Sequence, residues 1–349
     1  MLFSPAHIRS LPLRSTPPRI SVLLPVWNAA PTLVYCLESL VRQSESDFEC
    51  VLVDDGSTDE SLALAQRFAR RDPRVRILAG SHRGLVTALA TGLAHCRAPV
   101  VARMDADDWM HRDRLALQLA ALAAHPELDA VGTRVRIFPR LDLKPKRRAY
   151  EHWLNAMTSA DAIWRNRFIE CPIAHPTLAI RRAALEAHPY RDRGWPEDYD
   201  LLLRLMRAGA RVGIVPRRLV GWRDHPNRLS RTHPAYALDR FTACRAWHLS
   251  RDFLAGERAY VLWGHGRTGR ALRQALAELG HHPVSIVEVH PRRLGERIHG
   301  ADVIPPDALS THPRLPIVTS VAGARPRSEI RAALATMGLA EGIDFVCAA

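Results

Sequence analysis

Residues 20–59 read ISVLLPVWNAAPTLVYCLESLVRQSESDFECVLVDDGSTD, and their pattern sets the fold class. ISVLLPVW is a short, β-branched apolar run ended by Asn28-Ala29-Ala30-Pro31, which predicts a buried strand followed by a turn. TLVYCLESLVRQ then repeats apolar residues at Leu33, Leu37, Leu40 and Val41, the spacing of one helix face. FECVLVDDGSTD is a second apolar strand closing on acids and glycine. Working outward, SLALAQRFARR predicts a second helix, VRILAG a third strand, GLVTALATGLAHC a third helix and PVVARMD a fourth strand. Strands and helices alternating at short intervals predict an α/β fold, a mostly parallel sheet with helices on both faces. Ligands of such sheets bind at the carboxyl ends of the strands. The unusual residues of this chain fall there: Asn28 after the first strand, Asp54 and Asp55 after the second, Asp105 and Asp107 after the fourth.

Residues 102–109, ARMDADDW, place three aspartates within four positions. Neighbouring carboxylates repel, and burying them together is costly unless a cation or hydrogen-bond donors offset the charge. Asp105 and Asp107, two apart in a segment that reads as extended, are expected on one side of the strand. One can hold a divalent cation while the other reaches a sugar hydroxyl. Mg2+ and Mn2+ take carboxylate oxygens and are often completed by substrate phosphates, which suits a nucleotide diphosphate. Asp-Gly-Ser-Thr-Asp also makes a good turn and helix cap, so each acid alone has a structural reading. Three polar strand ends together, two of them acidic, favour a pocket.

A chain of 349 residues favours two domains, and its 47% hydrophobic content is ordinary for a globular protein. No apolar stretch reaches the roughly eighteen residues needed to span a bilayer. Residues 1–19, MLFSPAHIRSLPLRSTPPR, lack the continuous apolar core of a signal peptide. The expected location is cytoplasmic, with peripheral contact at the inner face of a membrane left open. The six cysteines are scattered without a CxxC pair and the seventeen histidines form no HExxH, so a metal here is expected on oxygen ligands. The formal charge of +13 is uneven: residues 251–349 hold 12 arginines against 10 acids, leaving +11 in the first 250. The excess concentrates in Arg134–Arg148, with seven basic residues against Asp142, and again between Arg211 and Arg231. A solvated basic surface, a phosphate-bearing ligand and an anionic membrane face are the alternatives.

Six blocks, in order, resemble the family 2 glycosyltransferases of the GT-A fold. They are ISVLLPVWNAAPTLVYCLESLVRQ, VLVDDGSTDES, GLVTALATGLAHC, VARMDADDWMHRDRL, CPIAHPTLAIRRAAL and WPEDYDLLLRLMRAG, within residues 20 to about 231. The resemblance implies a metal-dependent, inverting transfer of a sugar from a nucleotide diphosphate donor, UDP-linked by expectation, to a hydroxyl on a carbohydrate or lipid-linked acceptor. It implies Mn2+ or Mg2+ as cofactor. It places Pro25, Trp27 and Asp55 on the nucleotide base, with Asn28 beside them and Asp55 facing a uracil-type imide. Asp105 would hold the ribose or aid the metal, Asp107 would ligate the metal, and Arg83 would approach the diphosphate. Glu197 and Asp198 match the acidic pair facing the acceptor, Asp198 as general base. Each has a duller rival: Trp27 as a core aromatic, Glu197 and Asp198 as helix-start acids, His175 as a structural rather than phosphate-touching histidine. GWRDHPNRLSR resembles the basic segment that follows the acidic pair but lacks the QxxRW pattern of processive members.

The expected domains are a proline-rich arm over residues 1–18, the transferase domain over 19–250 and a smaller Rossmann-like α/β domain over 251–349. In AYVLWGHGRTGRALRQALAELG, Gly264, Gly266 and Gly269 give GxGxxG between a strand and a helix. Glu288 ends the next apolar run, at the distance expected for a ribose-binding acid. This stretch resembles the nucleotide-binding domain of PglD-type sugar acyltransferases; a bound nucleotide, NAD(P) and a purely structural role are the alternatives. Three other functions compete for the whole chain: a sugar-phosphate nucleotidyltransferase, which PVWNAAPT disfavours because it is no glycine-rich basic loop; an NAD(P)-linked oxidoreductase; and a nucleic-acid-binding basic protein, which the acidic strand ends oppose.

Overall fold

The computed structural model of the chain describes residues 16–311 and 313–349. The proline-rich arm expected over residues 1–18 falls, through residue 15, outside the described residues. The described residues form two compact units interleaved in sequence. The first runs to Ile163 and takes back Ile173–Asp192 and Ala208–Arg228; the second comprises Trp164–Pro172, Arg193–Arg207 and Leu229–Ala349.

The first unit is built on eight strands: β1 (Ile20–Val26), β2 (Phe48–Asp54), β3 (Val75–Ala79), β4 (Val100–Arg103), β5 (Trp109–Met110), β6 (Ala130–Phe138), β7 (Ala179–Arg181) and β8 (Val212–Arg223). Its helices are α1 (Ala30–Val41), α2 (Ser61–Arg71), α3 (Leu85–His95), α4 (Arg114–Ala124), α5 (Pro145–Asn155) and α7 (Arg182–Ala187); α6 (Ala160–Asn166) lies where the chain passes between units. The sheet order is β3-β2-β1-β4-β7-β6-β8-β5. β3, β2, β1 and β4 run parallel, as the alternation predicts. β7 departs from it, pairing antiparallel with both β4 and β6, and β5 pairs antiparallel with β8. The sheet is therefore mixed; these two strands, of three and two residues, are too short to carry a period. All seven residues of β1 are buried, which is why it reads as a continuous apolar run. Gly92 lets α3 close onto this sheet: a Cβ there would stand 2.3 Å from the Leu23 side chain and 2.8 Å from that of Val53.

The second unit contains α8 (Glu197–Arg207), α9 (Leu229–Thr232) and α10 (Leu238–Arg251), then β9 (Ala259–Trp263), α11 (Arg267–Ala277), β10 (His282–Val287), β11 (Arg297–Ile298), β12 (Ala301–Ile304), β13 (Ile317–Thr319), α12 (Ala324–Thr336) and β14 (Phe345–Cys347). Its six strands are ordered β11-β12-β10-β9-β13-β14, and all but β11 run parallel. Sequence position put α8 and α10 with the first domain; their contacts put them here. All six cysteines are buried thiols, Cys36, Cys50 and Cys96 in the first unit and Cys171, Cys244 and Cys347 in the second. Burial pushes Cys96 up to about 12 and Cys347 up to about 11. Among the described residues no helix is long and apolar enough to cross a membrane.

Candidate active site

At the carboxyl edge of the parallel strands, β1 ends at Val26 and turns sharply: Asn28 adopts a left-handed φ of 48°. Its Oδ1 accepts the Thr58 N–H at 2.8 Å, and its own N–H donates to Ser57 Oγ at 3.0 Å. Asn28 thus clamps the turn after β1 to the turn after β2. Pro25 is buried within β1. Trp27 is 50% exposed and stacks on His82, ring centroids 4.4 Å apart. It is no core aromatic; it presents an open face.

Asp55, directly after β2, is 5% exposed. Its Oδ1 accepts the Arg83 N–H and its Oδ2 the Gly84 N–H, both at 2.9 Å, with His82 Nδ1 2.8 Å from Oδ2. Asp55 therefore fixes the loop that leads into α3, and its Oδ1 keeps a second lone pair. Gly56 is required where these loops meet: its φ is 70°, and a Cβ would lie 2.5 Å from the His82 nitrogen. Arg83 itself is exposed.

The acids after β4 sit in a turn rather than an extended segment: β4 stops at Arg103, and the Asp108 N–H donates to the Asp105 carbonyl at 3.3 Å. The side-to-side alternation expected for a strand is therefore not what groups them; the turn does. It also recruits Asp108, so that carboxylate oxygens of Asp105, Asp107 and Asp108 all lie within 4.8 Å of one another. Beneath them Arg103, 3% exposed, donates to Asp105 Oδ1 at 2.6 Å, and the fully buried Arg114 donates to the Arg103 carbonyl at 2.7 Å. The end of β8 closes the other side. The Arg223 N–H reaches Asp108 Oδ1 at 2.7 Å, Arg223 Nε reaches the Asp107 carbonyl at 2.7 Å, and His225 Nε2 lies 3.0 Å from Asp107 Oδ2.

Burial and the neighbouring charges push Asp108 well above the usual carboxylate range. Burial and Asp105 also raise Asp107, partly offset by Arg228 and His225. Asp108 Oδ2 is buried without a hydrogen-bond partner among the described residues. Three crowded carboxylates, one with an unsatisfied oxygen, are a donor set that fits a hard divalent cation such as Mn2+ or Mg2+. Sequence reasoning named Asp105 and Asp107 but not Asp108 or His225. The DADD run held the signal for Asp108, and the GWRDHPNRLSR segment held it for His225.

Glu197 and Asp198 open α8 in the second unit. Glu197 is 5% exposed and its Oε2 accepts the Tyr236 hydroxyl at 2.6 Å; Asp198 is half-buried and accepts the Tyr199 N–H at 2.7 Å. Asp200, two residues on, is fully buried. It accepts from Arg204 Nε at 2.7 Å, His248 Nε2 at 3.0 Å and Trp195 Nε1 at 3.2 Å. Of these three acids Asp198 is the most solvent-accessible. His175 is buried in the first unit, with Nε2 2.8 Å from the Tyr190 hydroxyl, and burial lowers its pKa, which fits the structural reading. Gly264 and Gly266 lie between β9 and α11, Gly269 lies in the first turn of α11, and Glu288 directly follows β10.

Residues 21–188 match the sequence profile of Glycosyl transferase family 2. The amylovoran biosynthesis glycosyltransferase AmsE of Erwinia amylovora is 34% identical over 200 residues, which cover 56% of this chain and 73% of that protein. The uncharacterized glycosyltransferase EpsJ of Bacillus subtilis (strain 168) is 26% identical over 261 residues, 71% of each chain. Among solved structures, S. aureus TarS 1–349 in complex with UDP aligns with a TM-score of 0.50 at 16% identity, covering 74% of this chain and 70% of that one. That likeness concerns the fold.

Proposed function

The chain belongs to glycosyl transferase family 2 and is a glycosyltransferase, and from that premise we propose a metal-dependent, inverting transfer of a sugar from a UDP-linked donor to a hydroxyl acceptor in surface or lipid-linked glycan synthesis. The observation that carries this reading is the cluster of Asp105, Asp107 and Asp108 at the carboxyl ends of the parallel strands of a mixed sheet. Support for the pathway comes from AmsE, named for amylovoran biosynthesis. Support for the donor comes from TarS, which has been solved with UDP and with UDP-GlcNAc.

In this reading Trp27 offers its open face to the nucleotide base, with Pro25 behind it and Asn28 fixing the turn. Asp55 accepts from the base imide through a remaining lone pair while its other bonds keep the Arg83 loop in place. Arg83 approaches the diphosphate and Asp105 the ribose. Asp107 and Asp108 would hold the Mn2+ or Mg2+ ion, which when bound offsets charge developing on the diphosphate leaving group. Asp198, beside Glu197, takes the proton of the acceptor hydroxyl, giving a single displacement with inversion. Exposed Lys144, Lys146 and Arg148 on the first unit are compatible with an anionic membrane surface nearby.

Calorimetric titration of UDP in Mn2+ tests the donor site. Asp107→Ala removes a ligand whose charge the cation needs, so metal-dependent UDP affinity is expected to disappear. Affinity equal to wild type would remove Asp107 from the site and with it the metal-dependent reading.

A further inference from the structure

The sheet of the second unit carries features to which the proposed glycosyl transfer gives no role. In the parallel block β12-β10-β9-β13-β14 the chain leaves β9 on one side for β10 and returns on the other side as β13. The two directions part at the carboxyl end of β9: the Gly264 N–H donates to the Val287 carbonyl at 3.0 Å on the β10 side. On the β13 side, the Ser320 N–H donates to the Trp263 carbonyl at 2.8 Å. Open parallel sheets form their ligand crevice where strand order reverses in this way.

The three glycines of GHGRTG fill separate roles there. Gly264 has a φ of 93°, and a Cβ on it would press within 2.3 Å of Val321. A Cβ on Gly269 would stand 2.0 Å from the Gly264 carbonyl oxygen, so this glycine lets α11 sit against the loop. Gly266, which caps the eleven-residue α11, has an ordinary φ of −72° and nothing within 4 Å of its would-be Cβ. Neither a close neighbour nor the backbone angle requires glycine at that position, and its absence of a Cβ leaves the backbone open to close approach by a ligand.

Two buried donors beside this opening lack acceptors. His265 is 3% exposed; Arg293 Nη2 lies 3.3 Å from its Nδ1, and since a guanidinium only donates, Nδ1 accepts and the proton sits on Nε2. That Nε2 has no partner among the described residues. Ser320, 2% exposed and the first residue past β13, has its Oγ unpartnered as well, while its carbonyl accepts the Thr268 hydroxyl at 3.1 Å. Burial, with the charges of Arg293, Arg273 and Arg270, brings His265 down to about 4, so the ring is neutral at physiological pH. Buried N–H and O–H groups without acceptors, next to a helix N-terminus and among arginines, call for an anion rich in acceptor oxygens. Glu288 follows β10, its carboxylate 16% exposed and 3.5 Å from Arg293, where it can accept from a ribose diol.

We propose that the crevice formed by Gly264–Gly269, Ser320 and Glu288 binds a nucleotide, with its phosphate on the Gly266 loop against His265 Nε2 and Ser320 Oγ and its ribose toward Glu288. This site is separate from the donor site and needs no metal. The full-length chain is titrated calorimetrically with ADP, UDP, NAD+ and inorganic pyrophosphate in EDTA, in the Asp107→Ala background, which silences the metal-dependent site. At least one nucleotide is expected to bind, and Gly266→Val, whose Cβ meets nothing within 4 Å, is expected to abolish that binding while the chain stays folded with at most the small loss in melting temperature of a weakened helix cap. Ser320→Ala is expected to weaken it about 2- to 10-fold, the range for one hydrogen bond. Glu288→Gln is expected to weaken the nucleotide but not pyrophosphate. The proposal is overturned if no nucleotide binds in EDTA, if Gly266→Val and Ser320→Ala bind as wild type does, or if pyrophosphate binds as tightly as every nucleotide. Because metal is withheld and Asp107 is already replaced, failure here leaves the donor-site test untouched.

Discussion

Asp198 and Asp200 are two residues apart on one helix, yet their surroundings differ. Asp200 is fully buried with its oxygens taken by Arg204, His248 and Trp195, whereas Asp198 is half-buried and accepts the adjacent Tyr199 N–H. A general base needs a reachable lone pair, and this favours Asp198. Asp198→Asn keeps the shape and removes the basicity. With donor and acceptor supplied, the transfer rate is expected to fall about 10²- to 10⁴-fold while UDP affinity in Mn2+ stays at the wild-type value. A rate equal to wild type would move the base elsewhere. At this scale the sequence was informative where residue type alone limits the chemistry, as for Asp105 and Asp107. It was less so where neighbours decide: nothing in DDGSTD announces that Asp55 binds two backbone N–H groups of a loop 28 residues away, nor that Trp27 finds His82.

The α8 helix shows how an element is anchored by a polar group in an apolar setting. Asp200, Cys244 and His248 offer ligand atoms within 4.8 Å of one another, but the Asp200 carboxylate is already paired with Arg204, whose side chain is 3% exposed. Burial pushes the Cys244 thiol far up, so it stays protonated, and the trio is an ion-paired anchor joining α8 to α10. Burial acts to raise Asp200, but hydrogen bonds from His248 and Arg204 outweigh it and bring it down from 3.8 to about 2. A depressed carboxylate contributes stability that is complete above its unfolded value and is lost as pH falls toward the folded one. For Asp200 that window runs from about 4 to about 2. Burial lowers His248 as well, so acid opposes both partners. Asp200→Asn breaks the buried Asp200–Arg204 ion pair from one side and is expected to cost about 3–5 kcal/mol in urea unfolding at neutral pH. The loss should shrink as both proteins are compared at falling pH. Helices and parallel strands such as β1 to β4 were legible because each is long enough to repeat its period. β5 and β7 were not, and the DADD segment read as extended because an apolar run precedes it, whereas the Asp108 N–H bond to the Asp105 carbonyl closes a turn there.

For the whole molecule, the division between domains was the least legible property. Sequence offers a break near residue 250, where the pattern restarts after a helix, yet residues 164–172, 193–207 and 229–250 join the later sheet through contacts no local pattern encodes. The six buried thiols acquire a use from this interleaving. Each unit holds three of them, and a thiol that is buried and held protonated reacts with an alkylating reagent only when its surroundings open. The cysteines are thus six clocks, already installed, that time the opening of each unit without any engineered label. Under mild urea, with modification at each position followed by mass spectrometry, Cys36, Cys50 and Cys96 are expected to share one labelling rate. Cys171, Cys244 and Cys347 are expected to share another, even though Cys171 lies far closer in sequence to Cys96 than to Cys347. If Cys171 keeps time with Cys96 instead, the chain opens by sequence order and the interleaved units are not cooperative bodies.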